Sequence, residues 1–152
     1  MEIMQWWNKL SGLPGGKWMF SQILGKQVPY TGSIGACVDV LAPGHAEVVL
    51  QDRRAVRNHL KSVHAVALMN LGEVSSGLAL VAGLPPEARA ILVHFEIDFL
   101  KKARGTLRAK SKNDFKWTPG SSQDLEVVSE IFNVDQEVVA RVKAQWKIGP
   151  KR

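Results

Sequence analysis

The residue best placed for chemistry is a single acid, Glu73. It sits within residues 63–82, where thirteen of twenty residues are Ala, Val, Leu or Met. A helix over that stretch has no water-facing side, and a helix apolar all round is buried all round. Burying an unpaired carboxylate costs several kcal/mol. Desolvation lifts its pKa toward neutrality, where it can act as a general base. The competing expectation is that Glu73 faces a gap in the packing and pairs with a lysine.

His64 lies at the start of the same helix, where a histidine serves as a cap or loop contact more often than as a ligand. The amides of Val63, His64 and Ala65 are candidates of another kind. A first helical turn carries unpaired N–H donors and the positive end of the dipole. Such donors stabilise a developing oxyanion. On a helix, nine residues separate His64 from Glu73 by about 13–14 Å of rise and two and a half turns, so the two project oppositely. One helix cannot bring both to a small substrate. Two antiparallel copies can, which makes the expected site shared between subunits and present twice by symmetry.

The elements that must position these groups are legible as a change of period. The first thirty residues read as short helices interrupted by Gly12, Pro14, Gly15 and Gly16. Period-two alternation then begins at Ile34, passes through Val38 and Val40, breaks at Pro43 and Gly44, and resumes at Ala46, Val48 and Leu50, predicting a hairpin. A basic loop spans 53–61, Ser62 is the expected N-cap, and the helix runs from 63 to about 84, before Pro85 and Pro86. Four more strands are predicted, over 91–99, 106–116, 125–131 and 138–148. The last alternates over eleven residues. One antiparallel sheet with one long apolar helix is an α+β architecture. The expected division is an N-terminal helical segment, 1–31, and a main domain, 32–150.

A chain of 152 residues, 45% apolar and 22% charged, is of single-domain size and excludes disorder, collagen and coiled coil. The lone Cys37 excludes a disulfide framework or a cysteine-built zinc site within one chain. No basic leader precedes an apolar run at the start, and the apolar stretch at 63–82 is interrupted by His64, Asn70 and Glu73. Neither a signal peptide nor a membrane span is expected, and a cytoplasmic location is. The net charge of +6 is local: residues 101–116 carry seven basic side chains against Asp114.

The motif Asn58, His64-Ala65, Glu73 resembles that of the hot-dog-fold thioesterases, in particular the phenylacetic-acid-pathway branch and a related group of uncharacterised bacterial hot-dog proteins. That branch has Asn or Gln, His-Gly six residues later, and Asp or Glu nine residues after the His; here both spacings are kept. The resemblance covers about residues 32–148. It implies a hot-dog fold, an antiparallel sheet wrapped around a long central helix, and hydrolysis of an acyl-CoA thioester by a homodimer or dimer of dimers. It implies no cofactor beyond coenzyme A as part of the substrate. By resemblance Glu73 is the general base or nucleophile, and the Ala65 N–H polarises the thioester carbonyl. Asn58 orients water or binds the carbonyl, and His64 steadies the carbonyl or the leaving group. Ala65 stands where the family usually has Gly. Gly77, with Ser75 and Ser76 nearby, stands where several members carry a hydroxyl one turn after the acid. Ser76 and Gly77 are accordingly candidate substrate contacts.

The basic run supplies further candidates: Lys101, Lys102 and Arg104 for the phosphates of coenzyme A, against the plainer reading of a solvated face. Nucleic acid would want aromatic platforms beside the charge, and only Phe115 and Trp117 qualify. No nucleic-acid or membrane partner is expected. His94, Glu96 and Asp98 share a strand face with ligand spacing, but a polar or interface-facing side is the simpler expectation, and no metal is assigned. Trp6 and Trp7 read as packing rather than an acyl lid. A binding protein for an acyl thioester or fatty acid is the alternative function, motivated by Ala65 and Gly77. A hydratase on the same fold ranks below both.

Overall fold

The computed structural model describes residues 3–151; Met1, Glu2 and Arg152, which include the first residues of the expected N-terminal segment and of the leader reading, lie outside the described residues. Three short helices come first: α1 (Ile3–Leu10), α2 (Gly16–Gln27) and α3 (Pro29–Ser33). They are followed by β1 (Cys37–Ala42), β2 (His45–Leu50), a 3-10 turn at Arg54–Val56, and α4 (Ala65–Val81). Then come β3 (Ala88–Phe99), β4 (Leu107–Lys112), β5 (Gln123–Phe132) and β6 (Val138–Pro150). The strands form one sheet in the order β1-β2-β4-β5-β6-β3, with every neighbour antiparallel. After α4 the chain returns to the far edge, so β3 pairs with β6 and not with β4, its neighbour in sequence.

The β1–β2 hairpin turns on Pro43 and Gly44, with Ala42 opposite His45 and Gly44 at φ +77°. Proline favours the first turn position and glycine supplies the left-handed second. The turn is tied to the long helix, because Gly44 N–H donates to Ala79 O at 3.1 Å. β1 begins at Cys37, three residues later than the alternation at Ile34 suggests. Ile34 is buried but caps α3 instead of entering the sheet.

α4 lies across the sheet and buries Leu68, Leu71, Leu78 and Ala79 against it. It approaches β6 closely at Gly72, where a Cβ would sit 3.1 Å from Val142 Cβ and nearer still to Val142 Cγ2. Beneath it, Ser75 meets Ser129 of β5 (Oγ–Oγ 2.5 Å) and Ser111 of β4 (3.4 Å), all three fully buried. The helix ends just before Gly83 and the Pro85-Pro86 pair, where a helical backbone cannot continue.

Two expectations for this helix are corrected. It starts at Ala65, two residues later than predicted, and its N-cap is His64 rather than Ser62. His64 Nδ1 accepts from Val66 N–H at 3.1 Å, whereas the buried Ser62 hydroxyl has no partner among the described residues. One side of α4 is left uncovered by its own chain. Val66, Met69, Glu73 and Val81 form an exposed stripe that the sheet does not reach. β3, the adjacent sheet edge, likewise exposes Ile91, Val93 and Phe99. Trp7 packs edge-on against Phe20, ring centroids 5.1 Å apart, seating α1 on α2.

Candidate active site

α4 and β3 run side by side in opposite directions, and Glu73 and the helix-start groove fall along the seam between them. At its centre a cavity of about 340 Å³ holds Glu73 among Tyr30, Val66, Met69, Leu92 and Phe95. Burial among these groups pushes the Glu73 carboxyl above the ordinary 4.5. No cation lies within ion-pair distance of it among the described residues. The lysine pairing allowed from sequence is therefore not what the fold provides.

Asn70 lines the same cavity and was not singled out from sequence. Its Nδ2 donates to Tyr30 O at 2.9 Å, and its Oδ1 is buried with no partner among the described residues. Orphaned polar atoms of this kind cost about 1–3 kcal/mol and call for an explanation. The available signal was an amide one turn before the acid on an otherwise apolar helix.

At the helix start a second groove, of about 370 Å³, gathers Asn58, Leu60, Ala65, Lys101 and Lys102. Two of the three expected oxyanion donors are already committed. Val63 N–H donates to Ala103 O, and His64 N–H to Val56 O, both at 2.8 Å. Val66 N–H is taken by the His64 ring. Ala65 N–H is left without a hydrogen bond among the described residues, in the groove and at the positive end of the helix. With His64 Nδ1 accepting, Nε2 is the ring nitrogen left free to donate.

Asn58 is held by its own loop. Its Oδ1 accepts from Leu60 N–H (2.9 Å) and Ser62 N–H (3.2 Å), leaving Nδ2 as the free end. It can donate to a carbonyl more readily than it can accept from a water. The loop carrying Asn58 is stitched to the one carrying Lys101–Arg104. Arg104 donates to Leu60 O, and Asp52 accepts from both Gly105 N–H (2.8 Å) and Arg57 Nε (2.6 Å). Two basic stretches some forty residues apart in sequence thus converge on one rim. Lys101 is engaged with Glu137 at 2.5 Å.

Ser76 and Gly77 lie elsewhere. Ser76 is fully buried and its hydroxyl donates to Glu73 O at 2.9 Å, so it faces no cavity. Gly77 backs onto the Trp146 ring, and a Cβ there would sit 3.1 Å from Trp146 Cη2. Bulk on Trp146 fills the space a hydroxyl side chain would need. His94, Glu96 and Asp98 are exposed on β3, and Glu96 pairs with Lys143 at 3.6 Å. No group of three potential metal ligands occurs among the described residues. No helix among them is long and apolar enough to cross a membrane.

A six-stranded antiparallel sheet folded against one long helix, with a motif at the helix start and an acid at its middle, is the hot-dog fold. Structures of known proteins agree with it. A structural-genomics target, APC5556, is 30% identical with TM-score 0.84, over 98% of this chain and 99% of that one. A Pseudomonas aeruginosa protein of unknown function, described as a probable thioesterase, is 19% identical with TM-score 0.75, over 91% and 97%. A mutant of a thioesterase enzyme from Staphylococcus aureus is 13% identical with TM-score 0.70, over 80% and 99%. The chain belongs to the family described as a domain of unknown function, DUF4442, which matches residues 16–148. No curated protein matches it.

Proposed function

We propose that this chain hydrolyses an acyl-CoA thioester at a site completed by a second copy of itself. The observation that carries the reading is the split on α4. A partly desolvated carboxylate, with no counter-ion among the described residues, sits at the middle of the seam, and a free amide donor sits in a separate groove at its end. Neither half can catalyse acyl transfer alone. A second helix packed antiparallel on the exposed stripe sets Ala65 of one copy against Glu73 of the other. Exposed Val66 and Met69 on α4, with Phe99 on the same side of β3, favour such a partner.

In this site Glu73 takes a proton from water as the water oxygen attacks the thioester carbon. The oxyanion forms on the partner copy's Ala65 N–H, with Asn58 Nδ2 or His64 Nε2–H as a further donor. The carbon–sulfur bond breaks, and the thiolate takes up the proton that Glu73 holds. In the alternative route Glu73 attacks the carbonyl itself, and water cleaves the resulting anhydride. Lys102 and Arg104, on the convergent basic rim, face the phosphates of the coenzyme.

Free-thiol release across short, long and aromatic acyl-CoAs tests this. Turnover is expected with at least one, and Glu73→Ala loses at least about a hundredfold, the lower end for an acid–base group. With its carboxyl raised, the acid limb of the rate profile lies above 4.5, and activity falls as pH drops through it. No release with any thioester, or an unchanged rate in Glu73→Ala, refutes the proposal.

A further inference from the structure

A further cavity lies away from the Glu73 pocket and from the Asn58 groove. It is a groove of about 910 Å³ at the C-terminal end of α4. α1 forms one wall through Ile3 and Met4, the β1–β2 hairpin another, and Val81, Leu84 and the start of β3 the rest. Its lining is apolar except for Asn8 and two charged residues, Arg89 and Lys151, both cationic. The β3–β6 register pairs Arg89 with Gly149 and Ala88 with Pro150, which brings Lys151 to the same end of the groove as Arg89. Neither cation is in an ion pair among the described residues; Glu87, two residues before Arg89 and just ahead of β3, accepts the Lys151 backbone N–H through its main-chain oxygen.

An apolar trough with two unneutralised cations at one end matches an amphiphile of one kind. We propose that the groove binds a long-chain alkyl anion, its head group on Arg89 and Lys151 and its tail along Val81 and Leu84 toward Ile3 and Met4. The cavity lies in the size range of small-molecule sites. Cationic heads are excluded by the same two residues, and short anions lack the apolar tail contact that supplies affinity. The site does not involve Glu73 and stands whether or not the chain hydrolyses thioesters.

Calorimetric titration with dodecanoate below its micelle concentration tests it, with hexanoate and dodecyltrimethylammonium as comparisons. The wild type is expected to bind dodecanoate, hexanoate at least tenfold more weakly, and the ammonium compound not at all. Arg89→Glu with Lys151→Glu, both on exposed residues, loses at least tenfold. Leu84→Trp, which fills the trough and leaves the cations in place, loses as much. Glu73→Gln binds as the wild type does. Absence of binding to the folded wild type overturns the proposal. So does unchanged affinity in the charge-reversed or filled variants, or loss of binding in Glu73→Gln, which puts the ligand in the other cavity.

Discussion

Gly72→Ala measures how tightly α4 is held on the sheet, and opposing effects decide its outcome. In isolation the change favours the helix, since alanine exceeds glycine by about 0.8–1.0 kcal/mol. Against it stands the added methyl, which would lie 3.1 Å from Val142 Cβ and closer to Cγ2. Val142 is fully buried in β6, and a β-branched side chain there has little rotamer freedom with which to yield. Overpacking a filled core costs about 1–3 kcal/mol, and a contact this short belongs in the upper half of that range. The net expectation is a loss of about 1–2 kcal/mol. At roughly 2–4 °C per kcal/mol for a chain this size, Tm falls by about 2–8 °C. Gly77→Ala is the internal control. Its methyl would touch only the far edge of the Trp146 ring, at 3.1 and 3.3 Å, so propensity offsets more of the clash and Tm changes less. Thermal melts of both variants, and of Gly72→Ala combined with Val142→Ala, read the comparison. The second substitution removes the obstructing methyls, so the pair is expected to be more stable than the separate effects predict. A Gly72→Ala protein more stable than the wild type refutes the close approach of α4 to β6.

Ser75→Ala strands the hydroxyls of Ser129 and Ser111 under the helix and is expected to cost about 1–3 kcal/mol, while Ser75→Ala with Ser129→Ala costs less than the sum of the two; urea titrations of the three variants check this. Asp52→Asn weakens the clasp between the loops that carry Asn58 and Lys102, lowering stability by about 1 kcal/mol at neutral pH. The Arg57 guanidinium holds the Asp52 carboxyl below its ordinary 3.8, so its contribution is present above that value and lost as pH falls through the lower one. The Tm difference between wild type and variant therefore closes in acid, and a gap that stays constant with pH contradicts the ion pair.

What the sequence disclosed depended on whether a partner lay nearby in the chain. β6 was legible because its alternation survives from Ala140 onward: Ala140, Val142, Ala144, Trp146 and Ile148 are all buried. The hairpin was legible because Pro43 and Gly44 dictate the turn locally. The start of α4 was misplaced because Ser62 looks like a cap, while the imidazole of His64 performs that role. The fate of the first-turn amides was hidden, since Val63 N–H finds its acceptor at Ala103, forty residues on. Glu73 stood out by contrast with its neighbours, but the groups that desolvate it, Tyr30, Leu92 and Phe95, come from other elements and no spacing reveals them. The position of β3 beside β6 is a matter of chain path, which periodicity does not record.

The two margins of the sheet differ, and the difference limits how large an assembly can grow. β1 is six residues long, bulged between Val38 and Val40, and guarded by α2, whose Ser21 hydroxyl accepts the Val38 N–H at 2.9 Å. β3 is twelve residues long and lies bare. Strand-by-strand addition through the bare margin closes after one mate, because the doubled sheet then ends in guarded margins on both sides. A chain built this way can pair without polymerising, and its resistance to unfolding should rise with concentration only as far as that pairing is complete.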